Sequence, residues 1–208
     1  MRWIVGIENA FIPDMDVDEF AWTGHRERWR EDLALAVEAG ADAIRYGITW
    51  PEVETAPGRY EWDRVDAVFD ECSRLGLEPI WDLVHFGVPA YLDGGYFAED
   101  FTAALSSYAA AFARRYRGVL RKLTPWNEPY ISTYFRAGWG IWPPHLKGRE
   151  GFAKMLQPVV TGIHGAIKAV NAAAPEMAIW LNDGADSFHP ARPEVAGNPA
   201  AVNHSCVS

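Results

Sequence analysis

Apolar positions along the chain switch between two periods. Trp3-Ile4-Val5-Gly6-Ile7 is short and β-branched, and predicts a buried strand. Trp29, Leu33 and Val37 then fall at i, i+4 and i+8, a helical spacing that Gly40 stops. Ala43-Ile44-Arg45-Tyr46-Gly47-Ile48 predicts a second strand. Asp63 is expected to cap a helix that buries Val65, Val68, Phe69, Cys72 and Leu75 and closes at Gly76. Residues 78–85, EPIWDLVH, predict a third strand. Phe101, Leu105, Tyr108, Phe112 and Tyr116 stripe a third helix, and Val119 to Trp126 make a fourth strand. A long helix is expected over 149–173, with Phe152, Leu156, Val159, Ile163, Ile167 and Val170 on one face. Pro158 should kink it and Pro175 should end it. Met177 to Leu181 then predicts a fifth strand.

Strands alternating with helices imply a parallel sheet with crossover connections. A doubly wound nucleotide-binding sheet should carry a glycine-rich turn after its first strand. Here that turn is Glu8-Asn9-Ala10-Phe11, so a closed barrel is favoured over the open sheet. The fold class is therefore α/β, of the (β/α)8 TIM-barrel type. It is incomplete, because five βα units are visible where a barrel needs about eight. Residues 1–208 read as a single partial barrel domain. The stretch 184–208 is loop-like, with the start of a further helix expected near Glu194 to Val202. An open sheet would leave strands one and five as unpaired edges, which makes self-association a candidate property. In a barrel of this type, function sits at the C-terminal ends of the strands.

Composition narrows the function classes. The 208 residues hold 19 Lys plus Arg against 28 Asp plus Glu, a net charge of −9 with no basic run. That argues against nucleic acid or an anionic membrane as partner. No apolar stretch reaches the ~20 residues of a membrane helix. The start MRWIVGIENAF places Glu8 where a signal peptide would need its apolar core. Cys72 and Cys206 cannot form a disulfide framework, so a reducing cytosol is the simplest compartment and a cytoplasmic location is expected. Cys72 lies on a buried helical face and reads as a packed thiol. The 10 Trp suit flat sugar rings, and equally suit a core.

The strand ends are polar in an apolar context. Strand one ends in Glu8-Asn9, strand two carries Arg45 and reaches Trp50, and strand three ends in Asp82 and His85. Strand four ends in Asn127-Glu128-Pro129, and strand five in Asn182-Asp183. Carboxylates, an arginine, a histidine and an asparagine converging on one rim among tryptophans suit a polyhydroxylated ligand. TPWNEP at 124–129 resembles the Thr-x-Asn-Glu-Pro signature of family 1 glycoside hydrolases, β-glucosidase-type enzymes in a clan of retaining (β/α)8 glycosidases. Arg45 with Trp50-Pro51 and Asp82-Leu83-Val84-His85 resemble family segments at the second and third strands. PGRYEWDRVDAVFDEC resembles the lead into the third unit.

The resemblance implies roles. Glycosidic cleavage needs an acid for the leaving oxygen and a carboxylate on the far side of the sugar, about 5–5.5 Å away in retaining enzymes. By resemblance Glu128 is the general acid/base, Asn127 binds the sugar 2-hydroxyl, Arg45 orients the nucleophilic carboxylate, and His85 binds a sugar hydroxyl. Trp50, Trp139 and Trp142 are candidate stacking platforms. There are departures too. The family's nucleophile, a Glu ending strand seven, has no match here. Glu8 stands where many members have Gln, and Phe86 where they have Trp. Glu8 can still accept from sugar hydroxyls. Strand-one position disfavours Glu8 as a substitute nucleophile, and Asp82 is equally disfavoured. No cofactor is implied. The six histidines lack ligand spacing, and Asp14, Asp16 and Asp18 lack the Gly and Glu of a calcium loop, so no metal is expected. The implied partner is a small sugar or glycoside. The rival readings are a carbohydrate-binding pseudo-enzyme and a fragment that folds poorly alone.

Overall fold

Five parallel strands form one sheet in chain order: β1 (Ile4–Ile7), β2 (Ala43–Gly47), β3 (Glu78–Asp82), β4 (Lys122–Thr124) and β5 (Ala178–Ile179). The computed structural model describes residues 2–184, together with a short antiparallel ladder of 189–190 with 202–203. Helices α1 (His25–Glu38), α2 (Asp63–Leu75), α3 (Phe101–Arg115) and α4 (Gly148–Ala173) connect successive strands. The expected alternation and parallel sheet are therefore present. The helix start expected near Glu194 lies outside the described residues, as does Cys206, and Val202 sits in the short ladder.

Local chemistry explains the boundaries. Gly76 caps α2 in the left-handed conformation at φ 70°, and its N–H reaches the last carbonyls of the helix. Asp63 is the first residue of α2 and makes no capping bond. It sits in the first turn, where a carboxylate favours the helix dipole. A side-chain cap is found at the short helix Glu19–Trp22, where Asp18 accepts from the Ala21 N–H at 3.0 Å. The other acids of the IPDMDVDEF stretch follow the backbone. Asp14 lies within the 3-10 turn Pro13–Met15, and Asp16 ends it with a left-handed φ of 56°. α4 runs without interruption through Pro158.

The strands are shorter than their apolar runs. Beyond Asp82 and Thr124 the chains bend towards the rim but keep backbone bonds, Leu83 N–H to the Thr124 carbonyl at 2.9 Å and Asn127 N–H to the Val84 carbonyl at 2.8 Å. β1 is not a buried strand. Trp3 is 66% exposed and Ile4 46%, because β1 is an edge with sheet on one side. The opposite edge exposes Trp180 and Leu181.

Between sheet and helices lies an aromatic core. Trp81, Trp126, Tyr108 and Phe112 are fully buried there. Trp50 joins them: it is 1% exposed, stacks on Tyr108 at 5.2 Å and donates its indole N–H to Glu54 at 2.7 Å. Cys72 packs in the same core, and burial pushes its thiol up to about 12. Much of the tryptophan content is thus structural, each ring contributing a few kcal/mol through burial and offset stacking.

Candidate active site

Strand alternation aims Arg45 and Gly47 of β2 and Asp82 of β3 at the same side of the sheet, with Gly47 paired to Asp82. Tyr46 and Trp81 point the other way, into the aromatic core. Asp82 is the hub. It is completely buried, and its Oδ2 accepts from the Arg45 guanidinium and from His85 Nδ1 at 2.8 Å. Its Oδ1 has no partner among the described residues. Burial pushes the Asp82 carboxyl up, against the pull of His85 and Arg45. Gly47 makes this convergence fit. A Cβ there would lie 2.7 Å from Asn9 Cβ and 3.2 Å from His85 Nδ1, so only glycine lets the end of β1 approach the end of β3.

His85 is 2% exposed and lies between two carboxylates. Nδ1 faces Asp82, and Nε2 stands 2.9 Å from Glu8 Oε2. Burial opposes the imidazolium, but Asp82 and then Glu8 outweigh it and raise His85 to about 9. Glu8 is exposed at the mouth. The hydrogen bond from His85 holds its carboxyl below the usual range, against partial burial and with help from Arg45 at 3.7 Å. His85 binds its proton more tightly folded than unfolded, so its stabilisation is complete below pH 6.5 and is lost as pH rises through 9. Raising the pH from 6.5 to 9.5 should lower the unfolding free energy by up to about 3 kcal/mol in urea titrations, and His85→Gln should flatten that slope. An unchanged slope in the variant would place the proton elsewhere.

The fourth strand end delivers Asn127 and Glu128. Asn127 is buried and bridges to Asn182 across from β5. Its Oδ1 accepts from Arg45 and from Asn182 Nδ2 at 2.9 Å. Glu128 adopts a left-handed φ of 44°, a conformation costly outside glycine, and precedes the short helix Pro129–Thr133. Asp183, at the end of β5, accepts from the Tyr130 N–H at 2.8 Å and so tethers that turn. The Glu128 carboxyl is half-buried. Burial raises it first, then the negative charges of Glu8 and Asp183, and His85 and Arg45 offset only part of this. Glu128 is thus a carboxyl biased towards its protonated form, beside a cluster in which Glu8 and Asp82 pair with Arg45 and His85.

With that geometry in place, the relatives are decisive. The sequence profile of glycosyl hydrolase family 1 matches residues 10–205. The chain belongs to glycosyl hydrolase family 1. A β-glucosidase from Agrobacterium sp. is 26% identical over 175 residues, which cover 80% of this chain and 38% of that protein. An aryl-phospho-β-D-glucosidase from Bacillus subtilis is 30% identical over 129 residues, 58% of this chain and 26% of that protein. The fold superposes on a β-glucosidase from Thermotoga maritima in complex with glucoimidazole, with a TM-score of 0.73 and 20% identity over 81% of this chain and 40% of that one. The chain spans about two fifths of the length of these β-glucosidases. The sheet is accordingly part of a (β/α)8 barrel.

Within this family 1 chain, the structure brings together Glu8, Arg45, His85 and Asn127 in one hydrogen-bonded group, with Glu128 beside Asn127. Trp50 is not among them. It stacks inside the core with its N–H satisfied by Glu54, so neither face can meet a sugar. Trp142 is half-buried and lies against Phe86 at 4.9 Å, next to His85. Trp139 is 45% exposed just after the π-helical turn Tyr134–Gly138, edge-on to Tyr134 and Phe135. Phe86 holds a φ of 74°, and its carbonyl is clamped by Tyr96 Oη at 2.6 Å and Arg136 at 2.6 Å. Sequence reasoning missed Gly47 and the central part played by Asp82. Alternation along β2 and β3 was the available signal, since it places Gly47 and Asp82 on the face that carries Arg45.

Among the described residues no group of His, Cys, Asp and Glu is arranged to hold a metal, and no helix is long and apolar enough to cross a membrane. Asp18 and Glu52, which could suggest a cation site, are instead bridged by Arg26, 2.7 Å from each. The resulting pair of ion contacts ties the β1–α1 connection to the helix Trp50–Val53 that follows β2.

Proposed function

We propose that this chain supplies the sugar-binding and acid/base part of a retaining β-glycosidase. In this reading the end of the sheet takes a neutral gluco-configured sugar, with Asn127 and His85 on its hydroxyls and Glu128 delivering a proton to the glycosidic oxygen. The observation that carries it is Glu128: a half-buried carboxyl raised by its surroundings, one residue from an asparagine that the Arg45 cluster holds in place. A general acid must be protonated at working pH while still reaching bulk solvent for reloading, and partial burial next to like charge provides that. Support also comes from the β-glucosidase relative in Agrobacterium sp. and from the Thermotoga maritima enzyme, whose complex holds a glucose-like imidazole.

The double displacement also needs a nucleophilic carboxylate beyond these five strand ends. Asp82 is fully buried and engaged by Arg45 and His85, and Glu8 is paired with His85, so neither serves. Arg45, which already faces Glu8 and Asp82, is placed to orient that further carboxylate as well. The exposed edges at β1 and β5 are where neighbouring strands of a barrel would pair, and between copies of this chain they favour self-association.

Binding can be tested on the chain itself. Calorimetric titration with glucose and with glucoimidazole at millimolar concentration should give saturable heats for the sugar and tighter binding for the imidazole. Asn127→Ala should weaken both by at least tenfold, the cost of one or two buried hydrogen bonds. No heat with either compound would remove the sugar site.

A further inference from the structure

A second hollow opens on the same rim, outside the strand-end cluster. It has a volume of about 470 Å³ and lies among the segments that follow β1, β3 and β4. Phe86, Leu92, Tyr96, Phe97, Pro143 and Pro144 make its walls apolar. Phe86 is the partition between the two places. Its ring meets that of His85 at 5.0 Å, while none of Glu8, Arg45, His85, Asn127 and Glu128 lines the hollow.

Arg136 is the cationic part of the wall, and it is only 4% exposed. Nη1 donates to the Pro143 carbonyl at 2.7 Å and Nη2 to the Phe86 carbonyl at 2.6 Å. The guanidinium also lies over the rings of Tyr96, at 4.6 Å, and Trp142, at 5.5 Å. Carbonyls and aromatic faces ease the burial of a cation, but they do not neutralise it. The Nε–H is buried without an acceptor, and Arg136 forms no ion pair among the described residues. The two carboxylates that line the hollow, Asp14 and Asp93, are exposed at its mouth and do not pair with Arg136. A buried cation with a spare donor thus sits in the wall of an apolar hollow whose entrance is acidic.

We propose that this hollow is a second ligand site, which takes a small monocarboxylate with an apolar or aromatic body, its carboxylate pairing with Arg136. Each part of that class follows from a feature of the wall. A carboxylate oxygen accepts from the Nε–H and cancels the buried charge, which a neutral ligand leaves in place. The planar carboxylate matches the planar guanidinium edge. An apolar body covers Tyr96, Phe97 and the two prolines. A dianion such as phosphate offers those walls nothing and is repelled by Asp14 and Asp93 at the entrance. The site is independent of the sugar-binding reading, so either can fail alone.

Three probes on the whole chain test the assignment: 2-naphthoate, its neutral analogue 2-naphthylmethanol, and inorganic phosphate. In nitrogen–proton NMR spectra of the arginine side chains, the Arg136 Nε–H signal is identified by its loss in Arg136→Met. It should shift on adding 2-naphthoate and stay in place with the alcohol. Calorimetric titration at neutral pH should find 2-naphthoate at least tenfold tighter than either other probe, the lower bound for a charge-assisted hydrogen bond. Arg136→Met should reduce the acid to the affinity of the alcohol. Because Arg136 also holds two loops together, Ala90→Trp serves as a second variant. Ala90 is an exposed residue of the wall, so the indole fills the hollow while the guanidinium stays, and 2-naphthoate should weaken tenfold or more. Equal affinities for acid and alcohol overturn the pairing with Arg136. Unchanged binding in Ala90→Trp overturns the hollow as the place of binding. Phosphate bound as tightly as 2-naphthoate overturns the ligand class, and no binding of 2-naphthoate at millimolar concentration overturns the whole proposal.

Discussion

Replacing Arg45 with methionine is expected to destabilise the chain by about 3–5 kcal/mol, the usual cost of removing one partner from a buried ion pair. Asp82 has no exposure, and its Oδ2 rests on Arg45 and His85 while Oδ1 has no partner among the described residues. Without the guanidinium, a buried carboxylate keeps a single cationic neighbour. The Asn127 amide also loses the donor that fixes its orientation, so sugar binding should fall with stability. Adding Asp82→Asn to the methionine variant removes the stranded charge and should restore more than half of the loss. Urea midpoints for both single variants and the double variant complete the cycle. A methionine variant within 1 kcal/mol of wild type would mean that water already solvates Asp82, and the hub would not be a dry ion pair.

The alternation of strands and helices was legible because it depends on local periodicity, and the five predicted strands and the four helices between them are present. What periodicity cannot state is what covers an apolar face. Trp3 and Ile4 have the pattern of a buried strand, yet they lie on an edge whose other side carries no strand among the described residues. Trp50 shows the converse error. Its position after the second strand suggested a platform for a ring, but Tyr108 and Glu54, distant or local, draw it into the core. Asp63 and Asp18 are both acids at a helix start, but Asp63 falls one position inside its helix, behind Trp62, so only Asp18 stands where a side chain can cap.

The site was legible as a set of residue types at successive strand ends. Glu8, Arg45, His85 and Asn127 were named from their positions, and the structure joins them within hydrogen-bonding or ion-pair distance. Their division of labour was not legible. Asp82 and His85 are three residues apart, which says nothing of Arg45 arriving from another strand to share the same carboxylate oxygen. Gly47 has no side chain to signal its part, and its importance emerges only from the 2.7 Å that would separate a Cβ from Asn9.

Glu128→Gln carries the other large expected effect. In a family 1 enzyme built on these strand ends, the substitution should slow glycosylation by about 10²–10⁴-fold for alkyl glycosides, whose leaving oxygen needs a proton. Aryl glycosides with acidic leaving groups need little protonation and should lose far less in that step, which rapid-mixing kinetics separates from hydrolysis of the glycosyl-enzyme. The neighbouring charges make a second, independent demand. Glu8 raises the Glu128 carboxyl, so Glu8→Gln should lower it and move the alkaline limb of the glycosylation rate towards acid. The movement is in that direction because the acid form is the active one in this step: a lower affinity for the proton empties it at lower pH. A general base in the same position would respond oppositely, its active form appearing earlier on the acid side. Equal losses on both substrate classes, with an alkaline limb that ignores Glu8, would assign the proton donor to another residue and leave Glu128 a binding role.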